Sequence, residues 1–209
     1  MKILVTGGAG FIGSNLVDAL INLGHDVAVI DNLSSGLRKN LNPKARLYEI
    51  DIRDKKLSEI FEREKPDIVD HHAAQIDVRK SGEDPIADAE ANILGSLNVI
   101  TSCLRFGVKR IVYASTGGAI YGDPQYLPAD ENHPINPISQ YGISKHTVEH
   151  YLHLYSIIHG LEYVALRYSN VYGQRQNPYG EAGVVAIFAI QMLTGQQPTI
   201  FGPGDKTRD

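Results

Sequence analysis

The chain has 209 residues, 43% hydrophobic and 21% charged, with a formal net charge of -4, a composition that lets it bury a core and excludes the disordered and fibrous classes. Lys and Arg are scattered, so there is no electrostatic footprint for nucleic acid. Cys103 is the only cysteine, no apolar stretch approaches the ~20 residues of a membrane helix, and Lys2 leads into a strand-like run rather than a signal segment; a soluble, cytoplasmic protein with no disulfide is expected.

Lys2–Thr6 reads as a strand and Phe11–Leu23 as a helix, with Ile12, Leu16, Ala19, Leu20 and Leu23 on one stripe and Gly24 placed to end it. Strands are expected at Asp26–Ile30, Arg46–Ile50, Asp67–His71, Lys109–Ala114 and Leu161–Arg167, alternating with helices at Leu57–Glu64, roughly Pro85–Phe106, and Gln140–His159. Such alternation requires right-handed crossovers, hence an α/β fold with a doubly wound, Rossmann-like parallel sheet. The rhythm then breaks. A Gly-, Asn-, Gln-, Arg- and Pro-rich stretch, Asn170–Gly183, precedes an apolar helix near Val184–Leu193, a short strand at Thr199–Phe201 and a polar turn at Gly202–Asp209. The expected division is an α/β domain over 1–169 and the start of a small second domain over 170–209.

Gly7, Gly10 and Gly13 lie three apart between the first strand and the first helix, in Thr6-Gly7-Gly8-Ala9-Gly10-Phe11-Ile12-Gly13. Glycines let this turn tighten and its backbone approach a pyrophosphate, which the helix N-terminus then stabilises. A plain βα turn would need the same glycines, and the position between strand and helix favours the phosphate. Asp31 ends the second strand, where a carboxylate accepts hydrogen bonds from adenosine ribose hydroxyls and repels a 2′-phosphate, favouring NAD over NADP. Arg38 and Lys39 nearby act against that preference, and Asp31 could instead cap its loop. Asp51 and Ile52 follow the third strand as adenine-edge candidates, and Asp51 reads equally well as a cap.

Tyr141 and Lys145 are four residues apart at the start of a helix and share a face. Proton abstraction from a hydroxyl uses such a pair: a free phenol titrates near ~10, and bringing it to about 7 takes roughly 4 kcal/mol of preferential phenolate stabilisation. Lys145 and a positively charged nicotinamide ring can supply it jointly. Ser115 and Thr116 end the fifth strand, where ligands of open α/β sheets bind, and either hydroxyl can orient the reacting oxygen.

Thr6–Gly13, Asp31-Asn32-Leu33-Ser34-Ser35-Gly36, His72-Ala73-Ala74-Gln75, Tyr141–Lys145 and Leu166-Arg167-Tyr168-Ser169-Asn170-Val171-Tyr172-Gly173 together resemble, in order and along the whole chain, the motif series of NAD-dependent nucleotide-sugar epimerases of the extended short-chain dehydrogenase/reductase family. The resemblance implies Gly7, Gly10, Phe11, Ile12, Gly13, Asp31, Asn32, Asp51, Ile52, Ala73, Ala74, Asn92, Ser115, Tyr141, Lys145 and Tyr168 around NAD. It places Gln75, Thr116, Tyr141 and Asn170 against the nucleotide sugar, and Thr116, Tyr141 and Lys145 at the chemistry. It further implies inversion at C4 of a sugar of the UDP-glucose/UDP-galactose type by transient hydride transfer, and a homodimer through the Pro85–Phe106 and Gln140–His159 helices. Gln174 stands where the family often has proline, a departure expected to matter little. Family members continue well beyond Asp209, so the chain alone is expected to bind NAD with at most trace turnover. Related 4,6-dehydratases carry an Asp-Glu pair directly after the threonine, where this chain has Gly117-Gly118. The same resemblance also admits a decarboxylase of the family or an inactive NAD-binding fragment.

Other reactive side chains read more plainly. His71 and His72 are adjacent in a strand, point to opposite faces and cannot share a metal ion, so no metal is expected. Cys103 reads as a buried small hydrophobe, and Asp130 and Glu131 as solvated loop residues.

Overall fold

The computed structural model of the chain describes residues 1–179, 183–200 and 202–204. Its elements run β1 (Lys2–Thr6), α1 (Phe11–Asn22), β2 (Asp26–Ile30), a 3₁₀ turn (Arg38–Asn40), β3 (Arg46–Tyr48), α2 (Leu57–Glu64) and β4 (Ile68–His71), then α3 (Val78–Glu83), α4 (Pro85–Ala89), a π-helical turn (Glu90–Leu94) and α5 (Gly95–Arg105). β5 (Arg110–Thr116), α6 (Gly117–Ile120), α7 (Gln140–His159), β6 (Glu162–Tyr168) and α8 (Val184–Leu193) complete it. The six strands form one sheet in the order β3-β2-β1-β4-β5-β6, and every pairing is parallel. The order reverses between β1 and β4, the position beyond whose strand ends ligands of open α/β sheets bind.

Local chemistry explains the sharper boundaries. α1 ends in a left-handed Gly24 (φ 81°), with His25 N–H donating to Leu20 O at 3.1 Å and Gly24 N–H to Ile21 O at 2.9 Å, the two bonds of a Schellman motif. α7 starts at Ser139, whose hydroxyl accepts from Gly142 N–H, and ends at left-handed Gly160. One sheet face packs Leu4, Ile30, Val69, Ile111 and Tyr113 against Phe61, Val99, Ile100, Val148 and Leu152 of α2, α5 and α7. The other packs Ile3, Val5, Val27 and Val29 against Val17 of α1. Cys103 is a fully buried member of the first core, and burial pushes its thiol up.

Several sequence expectations are adjusted. The expected Pro85–Phe106 helix is α4 and α5 joined through the π-helical turn. β3 stops at Tyr48 because the Ile50 N–H turns back to Tyr48 O. β5 runs on to Thr116, since its register with β6 continues to the pair Thr116 and Tyr168. No strand forms at Thr199–Ile200, and Phe201 lies outside the described residues. α8 has no buried residue.

Candidate active site

The glycine turn closes at the carboxyl end of β1. Gly7 adopts φ 70°, its N–H donates to Ile30 O at 2.7 Å, and its carbonyl accepts from Gly10 N–H at 3.1 Å. A Cβ on Gly7 would lie 2.7 Å from Ala73 N, and one on Gly13 2.3 Å from Gly7 O. No side chain caps α1, and the first helical N–H to reach a carbonyl is that of Ser14, at 3.1 Å from Gly10 O. The N–H groups of Phe11, Ile12 and Gly13 are thus the orphan donors of an uncapped helix start, which suit an anion.

Asp31 is buried at the end of β2. Its Oδ2 accepts from Ala9 N–H at 2.9 Å and its Oδ1 from Leu33 N–H at 2.8 Å. Asp31 therefore does cap its loop and brace the glycine turn, and each oxygen retains lone-pair capacity for a ribose hydroxyl. Asn32 donates to Asp51 Oδ2 at 2.8 Å. The Arg53 guanidinium grips both Asp51 oxygens at 2.8 Å and holds that carboxyl well below the usual range. Ile52 is buried against Gly95.

Ala73 N–H, on the loop after β4, donates to Thr6 Oγ1 at 3.1 Å; Thr6 Oγ1 in turn lies 2.6 Å from His71 Nδ1, and His71 Nε2 2.9 Å from Ser96 Oγ. Ser96 Oγ donates to Asn92 O at 2.6 Å, so it accepts from Nε2–H, and His71 Nδ1 accepts from Thr6. Burial, with Lys145 and His72 nearby, holds His71 neutral. His72 turns the other way, stacking on Tyr168 with Nε2 3.4 Å from its hydroxyl. Ala74 follows Ala73 on the same loop.

Tyr141 and Lys145 occupy the first turns of α7. Lys145 is buried, its Nζ 4.4 Å from the centroid of the Tyr113 ring, and burial pulls its ammonium down to about 7 against the opposing pull of Glu149 and Asp88. Burial and then Asp88 push the Tyr141 phenol up to about 12. The hydroxyls of Ser115 and Thr116 are not interchangeable: successive strand residues face opposite ways, and Ser115 Oγ donates to Glu149 Oε1 at 2.5 Å. Glu149 also accepts from Arg167 at 2.7 and 3.1 Å. Burial raises the Glu149 carboxyl, and the Arg167 and Ser115 hydrogen bonds outweigh it. Thr116 is left as the hydroxyl at the strand end, level with Tyr168 in the β5–β6 register.

Gln75 and Asn92 are more committed than the sequence suggests. Asn92 Oδ1 accepts from Gln75 N–H at 2.8 Å, and its amide donates to Gln75 O and to Asp88 Oδ1, both at 2.9 Å. Gln75 Nε2 donates to Asp77 O at 2.9 Å and Asp88 Oδ1 at 3.1 Å. Gln174 also has more to do than expected. It exchanges hydrogen bonds of 3.1 and 3.0 Å with Asn15, and Arg175 pairs with Asp18 at 2.5 Å, fastening the segment after β6 to α1. Between them lies a cavity of about 220 Å³, lined by Phe11, Ile12, Asn15, Val171, Tyr172, Gly173 and Gln174. Asn170 lies exposed just past β6. Asp130 is exposed and accepts from Tyr126 and from Asn132 N–H.

Residues 3–209 match the model of the NAD dependent epimerase/dehydratase family. The chain belongs to that family. Among its relatives, the putative UDP-glucose 4-epimerase of Methanocaldococcus jannaschii is 54% identical over 207 residues, 99% of this chain and 68% of the relative. The crystal structure of a Thermotoga maritima UDP-glucose 4-epimerase with UDP-glucose superposes with a TM-score of 0.96 at 51% identity, covering 100% of this chain and 68% of that one. A Thermus thermophilus UDP-glucose 4-epimerase in complex with NAD gives 0.91 at 50% identity, covering 96% and 65%. Epimerase/dehydratase membership accounts for the sheet order, the glycine turn and the Tyr141–Lys145 helix together.

Proposed function

We propose that this chain carries the cofactor and proton-transfer machinery of a nucleotide-sugar 4-epimerase acting on UDP-glucose and UDP-galactose. The observation that carries this reading is that the uncapped glycine turn after β1, Thr116 at the end of β5 and Lys145 over the Tyr113 ring of β5, with Tyr141 one turn before it on α7, all belong to the carboxyl-end side of the parallel sheet. The cradle fits NAD: the absence of a Cβ lets Gly7 close against Ala73 and Gly13 against Gly7 O, Phe11–Gly13 offer N–H groups to the pyrophosphate, and the Asp31 carboxylate accepts from the ribose hydroxyls. Asn32, Asp51, Ile52, Ala73, Ala74, Asn92, Ser115 and Tyr168 line or support that groove. NAD supplies the acceptor, and then the donor, for the C4 hydride.

The chain's own part is proton management. Tyr141 takes the proton from the 4-hydroxyl, Lys145 lowers the cost of the phenolate, and Thr116 orients the reacting oxygen. Asn170 and Gln75 stand on the sugar side, Gln75 chiefly as a brace for the loop. Gly117 and Gly118 begin α6 directly after Thr116, so no acid stands there for elimination of water, and epimerisation is favoured over dehydration. Residues 1–169 serve the cofactor, and 170–209 begin the substrate side. Exposed Ile86, Leu94, Ile143, Ile157 and Ile158 support a homodimer.

Cofactor choice is the first check. The Asp31 carboxylate repels a 2′-phosphate, so calorimetry should find NAD bound at least tenfold more tightly than NADP, about 1.4 kcal/mol; equal affinities would remove Asp31 from the ribose. Turnover of UDP-galactose to UDP-glucose, measured in a protein extended to the length of the relatives, tests the activity, and a 4-keto-6-deoxy product would point to the dehydratase instead.

A further inference from the structure

Asp88 lies on α4, outside every motif named above, and is 1% exposed. Its Oδ1 accepts from Gln75 Nε2 at 3.1 Å and Asn92 Nδ2 at 2.9 Å, and its Oδ2 from Ser144 Oγ at 2.6 Å. The amide orientations are set independently: Asn92 Oδ1 takes Gln75 N–H and Gln75 Oε1 takes Asp77 N–H. Both amides therefore present nitrogen to Asp88, and two of its three partners have only protons to offer, the environment of a carboxylate. Every partner is neutral. Ser144 directly precedes Lys145, so this one side chain joins the loop after β4, the π-helical turn and the helix bearing Tyr141 and Lys145.

We propose that Asp88 is a positioning residue for the Tyr141–Lys145 pair, tying its helix to the loop after β4 and holding beside it a buried negative charge that none of its hydrogen-bond partners neutralises. The proposal rests on the reading of Tyr141 and Lys145 as the proton-transfer pair. Of the other groups facing Lys145, Glu149 on its own helix also favours the ammonium, but it shares its charge with Arg167. His71 of β4 is held neutral, and Tyr113 of β5 keeps its proton because burial raises its phenol. Tyr141 is likewise protonated before cofactor arrives. Asp88 thus favours the charged form of the buried Lys145 while its hydrogen bonds keep the pair in register.

The test needs neither cofactor nor substrate. Heteronuclear NMR of the isotope-labelled lysines follows the Lys145 titration in the chain and in Asp88→Asn, the signal being identified by its loss in Lys145→Met, with thermal melting to confirm the fold. Removing the negative charge disfavours the ammonium, so the Lys145 midpoint should move to lower pH in Asp88→Asn and return in Asp88→Glu. Asp88→Ser, which keeps a hydroxyl for Ser144 and Asn92, is a second neutral variant with the same expected acid shift. An unmoved midpoint in a folded neutral variant would overturn the proposal, as would failure of both neutral variants to fold, which would make Asp88 a folding residue. Absence of epimerase turnover in the parent protein would count against the functional reading and leave this titration intact.

Discussion

Tyr141→Phe is expected to reduce epimerisation by about 10²-fold or more while leaving NAD in place. The phenol is buried and pushed up to about 12, first by desolvation and then by Asp88. Making it a base near neutrality takes roughly 7 kcal/mol of preferential phenolate stabilisation, more than a solvated tyrosine would need. Lys145 and the positive cofactor must provide that together, so the proton-accepting state exists only in the loaded enzyme. Phenylalanine retains the ring and its packing and removes the proton acceptor, so kcat falls and calorimetry still finds NAD bound. Near-native turnover of Tyr141→Phe would require another base.

Gly13→Ala is expected to weaken NAD binding at least tenfold, about 1.4 kcal/mol, and to lower the melting temperature. At an ordinary helix position the same change would stabilise by about 1 kcal/mol, because alanine loses less backbone entropy. Here the new methyl would sit 2.3 Å from Gly7 O and 2.9 Å from Gly7 C. Both are backbone atoms of a turn already held by hydrogen bonds to Ile30 and Gly10, so relief means moving the turn itself, at a cost of order 1–3 kcal/mol. The displaced N–H groups are the ones proposed to hold the pyrophosphate. A raised melting temperature with NAD affinity intact would contradict this.

Both effects fall where sequence patterns were informative. The turn and the Tyr141–Lys145 spacing are local: a few adjacent residues contain the whole signal, and strand alternation placed the rest of the sheet. α7 was legible to its ends because Ser139 and Gly160 are chemically suited to start and stop a helix. α3 escaped notice, since Val78–Glu83 is short, mostly polar and interrupted by Gly82, and its N-cap Asp77 resembles any loop aspartate. The π-helical turn is invisible to apolar periodicity, which runs on through Glu90–Leu94. Asp88 was missed for a different reason. Its partners, Gln75, Asn92 and Ser144, lie up to 56 residues away from it, and a lone aspartate in Ile86-Ala87-Asp88-Ala89-Glu90 reads as one more solvated position until the fold closes around it. Position at a strand end does not distinguish Ser115 from Thr116, and β5 separates them by facing Ser115 toward Glu149. Gln174, expected to matter little, proves to be half of the clasp between α1 and the segment after β6.

The proposed inversion removes a hydride from C4 and returns it from a single bound cofactor, with Tyr141 handling the proton. It is tested most directly with UDP-galactose deuterated at C4, turned over by the NAD-loaded protein at the length of its relatives. Full retention of deuterium at C4 of the UDP-glucose formed, with none released to water, is the predicted result. Exchange of the label with solvent would mean that C4 loses a proton rather than a hydride, and would contradict it.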